Sequence, residues 1–287
     1  MADKCILLTE DKKSIKLENH YKGSSCFLVL SGPSLQTLDL SLLKKPGVLT
    51  FGVNNSPRMV RPNIWTLVDD VGNFMQSIWK DPTILKLVPD GKPNHHLFDN
   101  NRWKKSKFKV KECPNVVYYP RNNRFVPETY LTEHTINWGS HKDYGGTRTV
   151  MLAAVRLAYY LGIRKLFLVG CDFGMKLNEQ NYAWEQERSK QAVNNNNCTY
   201  RVLNERFSLL KPKFKEAGFY IFNCTPNSGL KVFPYMEYED AIKIARREFF
   251  NIENERTAGM YERKSLEKEA KKKEEKRLKR EKERGKK

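Results

Sequence analysis

The sequence predicts an α/β fold: a single, mostly parallel sheet flanked by helices, with an inserted loop-rich region and a charged C-terminal helix or arm. Three observations predict it. Short, continuously apolar runs recur, each closed by a small or polar turn, as buried parallel strands are. Apolar residues at helical spacing separate the later runs, over 150–161 and 203–214. Beyond Asp240 the composition shifts to Lys and Glu, with almost no apolar face after Leu266 apart from Leu278.

Residues 1–24 read as a short polar lead-in. Cys26 to Leu30 is the first strand, broken at Gly32-Pro33. Leu35, Leu38, Leu40, Leu42 and Leu43 mark a short helix and turn before a second strand, Val48 to Val53, which ends in Asn54-Asn55-Ser56-Pro57. Ile64 to Val68 is a third strand, ending in Asp69-Asp70. Strand, polar turn and return within about 20 residues, repeated, is the rhythm of an α/β sheet. Residues 90–143, rich in Asn, Lys, Pro and aromatics, read as an insertion whose loops cover a site; only Val116 to Tyr119 is strand-like. Order returns at Tyr144-Gly145-Gly146-Thr147, which opens a helix carrying Val150, Ala153, Ala154, Leu157, Ala158 and Leu161, with Gly162 placed to end it. Lys165 to Val169 is another buried strand, leading into Gly170-Cys171-Asp172-Phe173. Residues 174–200 form a polar, mobile flap. Leu203, Phe207, Leu210 and Phe214 mark a further helix closed by Gly218, and Phe219 to Phe222 is the last strand, before Cys224-Thr225-Pro226-Asn227-Ser228. The chain thus divides into the lead-in, a body over 25–240 and a Lys/Glu-rich tail over 241–287, helical or disordered.

With 39% apolar residues in 287, the chain can bury a full core, and no run approaches the length that crosses a membrane. The charged N-terminus is no signal peptide, so the expected location is cytoplasmic. Cys5, Cys26, Cys113, Cys171, Cys198 and Cys224 form no C-x-x-C pair, and the five histidines have no ligand spacing, which argues against a disulfide framework or a zinc site. The net charge of +19 calls for an anionic partner or substrate. Residues 253–287, with 15 Lys/Arg and 9 Asp/Glu, supply only +6 of it. A second basic cluster, Arg102, Lys104, Lys105, Lys107, Lys109 and Lys111, is interleaved with Trp103 and Phe108. It reads either as a solvated basic strand or loop, or as a polyanion-binding track for nucleic acid, anionic glycan or lipid headgroups.

Ligands of open α/β sheets bind outside the carboxyl ends of the strands. This chain gathers its small and polar residues there: Ser31-Gly32-Pro33-Ser34, Asn54-Asn55-Ser56, Asp69-Asp70, Gly170-Cys171-Asp172 and the segment from Cys224 to Ser228. Gly145-Gly146-Thr147 adds a helix N-terminus, whose free N–H groups and positive dipole end suit a phosphate or carboxylate. Adjacent carboxylates Asp69 and Asp70 suit Mg²⁺ with a diphosphate, or else a turn cap beside a solvated neighbour.

In this order and company the motifs Leu30-Ser31-Gly32-Pro33-Ser34-Leu35, Val53-Asn54-Asn55, Gly145-Gly146-Thr147, Tyr160 through Phe173, and Cys224-Thr225-Pro226-Asn227-Ser228 resemble those of the Campylobacter-type bacterial sialyltransferases. They also resemble the related family that includes the archaeal 6-hydroxymethylpterin diphosphokinases. The likeness runs over roughly 25–235 and implies a GT-A-like variant of the Rossmann fold that binds a nucleotide. It implies that Gly32, Pro33 and Ser34 cradle a phosphate, and that Asn54 or Asn55 holds the ribose or donor sugar. Gly146 and Thr147 would lie against the phosphate or donor carboxylate, and Asn227 and Ser228 against the base or ribose, with Asp172 nearby. The sialyltransferases use a flap histidine as general base, and residues 174–200 contain none. Tyr182 and Tyr200 are left to line the pocket, and the base falls to His134, His141, Asp70 or Glu185. The expected activity is sugar transfer from a CMP-, UDP- or GDP-linked donor to an anionic acceptor, a glycan or modified nucleic acid, with catalytic roles for Asp70, His141 and Asp172. The alternatives are a Mg²⁺-dependent diphosphokinase of the pterin type and a non-catalytic nucleic-acid-binding protein.

Overall fold

Alternation within the first strand sets the layers. Cys26 and Leu28 enter one core and Phe27 and Val29 another, as the period-2 geometry of a strand requires of a sheet covered on both faces. The computed structural model describes residues 6–99, 102, 104–122, 125–137, 149–184, 188–249 and 259–284. It divides into two units, Met1–Phe249 and Phe250–Lys287.

The first unit is built on a seven-stranded sheet. In chain order its strands are β1 (Ser25–Val29), β2 (Thr50–Val53), β3 (Ile64–Thr66), β4 (Leu85–Pro89), β7 (Val116–Tyr119), β10 (Lys165–Val169) and β11 (Tyr220–Asn223), arranged β11-β10-β1-β2-β3-β4-β7. Every pairing in it is parallel, so all seven carboxyl ends open on one edge. Between β4 and β7 lies an antiparallel hairpin, β5 (His96–Asp99) with β6 (Lys104–Lys109). A two-residue pairing joins β8 (Arg121–Asn122) to β9 (Ile136–Asn137).

A short helix α1 (Gln76–Lys80) precedes β4. Helices α2 (Val150–Tyr160) and α3 (Lys190–Glu216) pack on one face of the sheet, while α4 (Tyr238–Phe249) covers the other through Tyr238, Ala241, Ile242 and Ala245. Helix α2 stops where expected: Gly162 has φ +94°, and a Cβ there would come within 2.8 Å of the Asn19 backbone. The second unit is one helix, α5 (Met260–Arg284), in which the described side chains are exposed. No helix of the described residues is long and apolar enough to cross a membrane.

Four expectations change. The lead-in is not merely polar, because Ile6 and Leu7 are fully buried and Leu8 bridges to Tyr118 on the edge strand β7. The strand β4 was not expected, because Lys86 interrupts its apolar run. That lysine is buried, its ammonium donating to the carbonyls of Asp81, Ile84 and Pro114 at 2.6–3.1 Å. The insertion contains the β5–β6 hairpin as well as β7. The second half of the expected flap is helix: Ser189 caps α3, and the Asn194–Asn197 run lies in its early turns, where Asn196 Nδ2 donates to Ala192 O at 2.8 Å.

Candidate functional site

A cavity of about 320 Å³ opens at the carboxyl edge, between the ends of β1, β2, β3 and β10 and the N-terminus of α2. Its first wall is the turn after β1. Gly32 N–H continues the sheet by donating to Gly170 O at 2.9 Å. Ser34 then turns inward, donating its N–H (3.2 Å) and its Oγ–H (2.8 Å) to the two oxygens of Asp172. The fit leaves no room for a side chain at position 32, where a Cβ would lie 1.7 Å from Asp172 Oδ2 and 2.7 Å from Gly170 O. Burial raises the Asp172 pKa, against the opposing pull of the two Ser34 hydrogen bonds.

The segment after β10 is fixed from behind. Thr225 Oγ1 accepts from Cys171 N at 2.9 Å, the Ser228 hydroxyl donates to Cys171 O, and Gly229 N–H donates to Asp172 O at 2.8 Å. Phe173 takes a left-handed backbone (φ +53°) and stacks on Tyr200 of α3 with ring centroids 4.8 Å apart. Both rings line the cavity, as does Tyr182, and burial pushes the Tyr200 hydroxyl pKa up. Asn196, Thr199, Tyr200 and Leu203 reach the same cavity, an i, i+3, i+4, i+7 face of α3.

The far wall comes from the ends of β2 and β3. Asn54 is held in a left-handed conformation (φ +48°), its carbonyl accepting from Trp65 Nε1 at 2.8 Å. Its Nδ2 approaches Asp69 Oδ2 at 3.4 Å, while its buried Oδ1 has no partner among the described residues. The floor is the start of α2, where Thr149 Oγ1 accepts from Met151 N at 3.1 Å. Among the described lining residues none is Lys or Arg, and the N-terminus of α2 contributes the positive end of its dipole.

The structure therefore brings Gly32, Asn54, Asp69 and Asp172 to one cavity. Tyr182 and Tyr200 line it as well, and the other expected residues that are described lie elsewhere. Pro33 and Ser34 do not line it, and the donors of the turn are spent on Gly170 and Asp172 rather than left free for a phosphate. Asn55 turns away, donating from Nδ2 to Asn73 O at 3.1 Å. Asp70 is a cap, accepting from Gly72 N at 2.8 Å, and it does not line the cavity, whereas Asp69 does. Among the described residues no group of three or more His, Cys, Asp and Glu could hold a metal ion. Ser228 is buried against Cys171, and exposed Asn227 lines a separate hollow with Thr225 and Tyr235. His134 is exposed and away from the cavity. Trp103, His141, Gly145, Gly146, Thr147 and Glu185 lie outside the described residues, and the cap of α2 is Thr149.

Sequence reasoning missed Thr149, Asn181, Asn196 and Thr199. The helical spacing of Asn196, Thr199, Tyr200 and Leu203 was the available signal, hidden by reading the Asn run as loop.

No protein-family model matches the sequence, and no curated protein matches it. Among solved structures the chain is similar to the sialyltransferase CST-II in complex with trisaccharide acceptor and CMP, at 16% identity over 74% of this chain and 86% of that one, TM-score 0.43. It is also similar to the sialyltransferase CstII from Campylobacter jejuni in complex with CMP-3FNeuAc, at 14% identity over 75% of this chain and 86% of that one, TM-score 0.43.

Proposed function

We propose that this chain is a glycosyltransferase that binds a nucleotide-activated sugar in the strand-end cavity and passes the sugar to an acceptor hydroxyl. The observation that carries the reading is the convergence, in one cavity, of the α2 N-terminus, the unpartnered Oδ1 of Asn54 and the carboxylate of Asp69. The first turn of α2, beside Ser31, suits the donor phosphate and stabilises the charge it gains on leaving. Asn54, with its Oδ1 unpaired among the described residues, suits a hydroxyl of the ribose or donor sugar. The Phe173–Tyr200 stack offers a flat wall to the nucleobase.

Two carboxylates line the cavity, and their surroundings separate their roles. Asp172 is tied to Ser34 on both oxygens and acts as a positioning residue for the Gly32 turn. Asp69 is exposed and takes the general-base role that Asp70 and His141 were expected to fill. In the transfer, Asp69 accepts the acceptor proton as the acceptor oxygen bonds to the anomeric carbon. The bond from that carbon to the phosphate oxygen breaks, and the nucleotide leaves with its electron pair. The molecule that carries the acceptor hydroxyl is anionic in this reading, matching the surplus cationic charge of the body.

Isothermal titration with CMP, UDP, GDP and ATP, each with and without Mg²⁺, tests the donor site. One base should bind in preference, and Asn54→Ala should weaken it about tenfold, the loss of one well-placed hydrogen bond. Binding of none of the four sinks the proposal.

A further inference from the structure

The β5–β6 hairpin carries charge that the cavity does not use. Leu97 of β5 and Val110, the residue after β6, are fully buried against a cluster that includes Trp65, Phe74 and Trp79, so the hairpin is anchored to the body. The outer surface of the hairpin and of the turn after it is cationic: Arg102, Lys104, Lys105, Lys107 and, past β6, Lys111 are exposed. Arg102 lies 3.8 Å from Asp99, but among the described residues no carboxylate pairs with Lys104, Lys105, Lys107 or Lys111. The Glu112 carboxylate accepts from the backbone N–H of Lys109. Unpaired like charges held on a rigid strand repel one another, an arrangement that a polyanion relieves.

One hydrophobic group interrupts the cations. Phe108 is 39% exposed, with Lys80 Nζ 4.4 Å and Lys107 Nζ 5.5 Å from its ring centroid. Along β6, Lys104, Lys105 and Lys107 are exposed around the register shift that separates the pairs Phe98–Lys105 and His96–Lys109, and Lys107 Nζ lies beside the Phe108 ring, so several ammoniums and one ring are offered to a single strand of phosphates. Lysines are point charges that hold phosphate without the bidentate fork by which arginine reads a base. An exposed ring among them offers a stacking platform that is indifferent to base identity.

The hairpin sits beside the cavity. It follows β4, whose carboxyl end opens on the same edge, and a Cβ on Gly72 would lie 3.7 Å from Phe98 of β5. Asp69, which lines the cavity, is three residues from that contact.

We infer that the β5–β6 hairpin is a docking track for single-stranded nucleic acid, holding phosphates on Lys104, Lys105 and Lys107 and stacking a base on Phe108, without sequence preference. This binding does not depend on the donor reading. If sugar transfer also operates, the bound strand is the anionic molecule brought to the cavity.

The test uses the full chain and fluorescence anisotropy with a labelled thymidine oligomer of about 20 nucleotides. Replacing Lys104, Lys105 and Lys107 together by Glu should weaken binding roughly 30-fold near 0.1 M salt and reduce the slope of log K against log salt by about 2. Phe108→Ala should weaken the oligomer about tenfold yet leave inorganic polyphosphate binding unchanged, and Phe108→Trp should restore it. Nucleotide titration of each variant should match the parent, which separates this inference from the donor site. Parental affinity in the triple-Glu variant overturns the inference, as does equal weakening of oligomer and polyphosphate by Phe108→Ala. Stronger binding to phosphatidylglycerol vesicles than to the oligomer overturns it in favour of a membrane surface.

Discussion

The ends of β10 and β3 both place an aspartate after a buried strand, on the same edge of the sheet, and use it in opposite ways. After β10, Asp172 is half-buried and tied to a turn 138 residues away in sequence through both oxygens. After β3, Asp70 is exposed and caps its own local turn by accepting from Gly72, leaving Asp69 to face the cavity. The long-range contact fixes the shape of the cavity wall, and the local one merely ends a strand. A carboxylate at a strand end is therefore informative when its partner is distant, because only then does its removal disturb a second element.

A matched pair of glycine substitutions tests this contrast most severely. Gly32 has φ −70°, which any residue adopts, so the cost of Gly32→Ala is purely the clash of its Cβ with Asp172 and the Gly170 carbonyl. We expect a loss of about 4 kcal/mol in urea unfolding and no measurable nucleotide binding. Gly72→Ala brings its Cβ to 3.3 Å from Asp70 Oδ1, which is exposed and free to move, so a loss under about 1 kcal/mol is expected. Similar losses at the two positions would break the comparison.

Removing the carboxylates comes next in size. Asp172→Ala strands the Ser34 N–H and Oγ–H, which should cost about 3 kcal/mol of stability and weaken nucleotide binding through the loosened turn. Asp70→Ala removes a cap from an exposed turn and should cost about 1 kcal/mol, leaving nucleotide titrations unchanged. If Asp70→Ala weakens nucleotide binding as much as Asp172→Ala does, the assignment of a purely local role to Asp70 is wrong.

The same contrast explains what the sequence made legible. Apolar runs between 25 and 53 and between 165 and 222 read as strands because nothing polar interrupts them. Lys86 concealed β4, since its burial depends on the carbonyls of Asp81, Ile84 and Pro114, and that convergence exists only in the folded chain. At the site, Gly32, Asn54 and Asp172 were legible from their places at strand ends. The commitment of Ser34 to Asp172 was not, because it joins residues far apart in sequence. Neither was the choice between Asp69 and Asp70, which rests on which carboxylate the next turn captures. Asn196 and Thr199 were missed for a different reason, as their helical face begins at the Ser189 cap inside a stretch too polar to show an amphipathic stripe.

The smallest effect is a slope rather than a loss. Burial raises the Asp172 pKa above the ordinary aspartate value, so the folded protein keeps this proton at pH values where the unfolded chain has released it. The stabilisation from that proton is complete below the unfolded value and is lost as pH rises through the raised one. Unfolding free energies measured from mildly acidic pH upward should therefore carry a negative contribution from Asp172 in the parent. Asp172→Asn, which cannot titrate, should remove that contribution. An unchanged slope in Asp172→Asn would mean that the two Ser34 hydrogen bonds balance desolvation, so that burial leaves no net shift on this carboxylate.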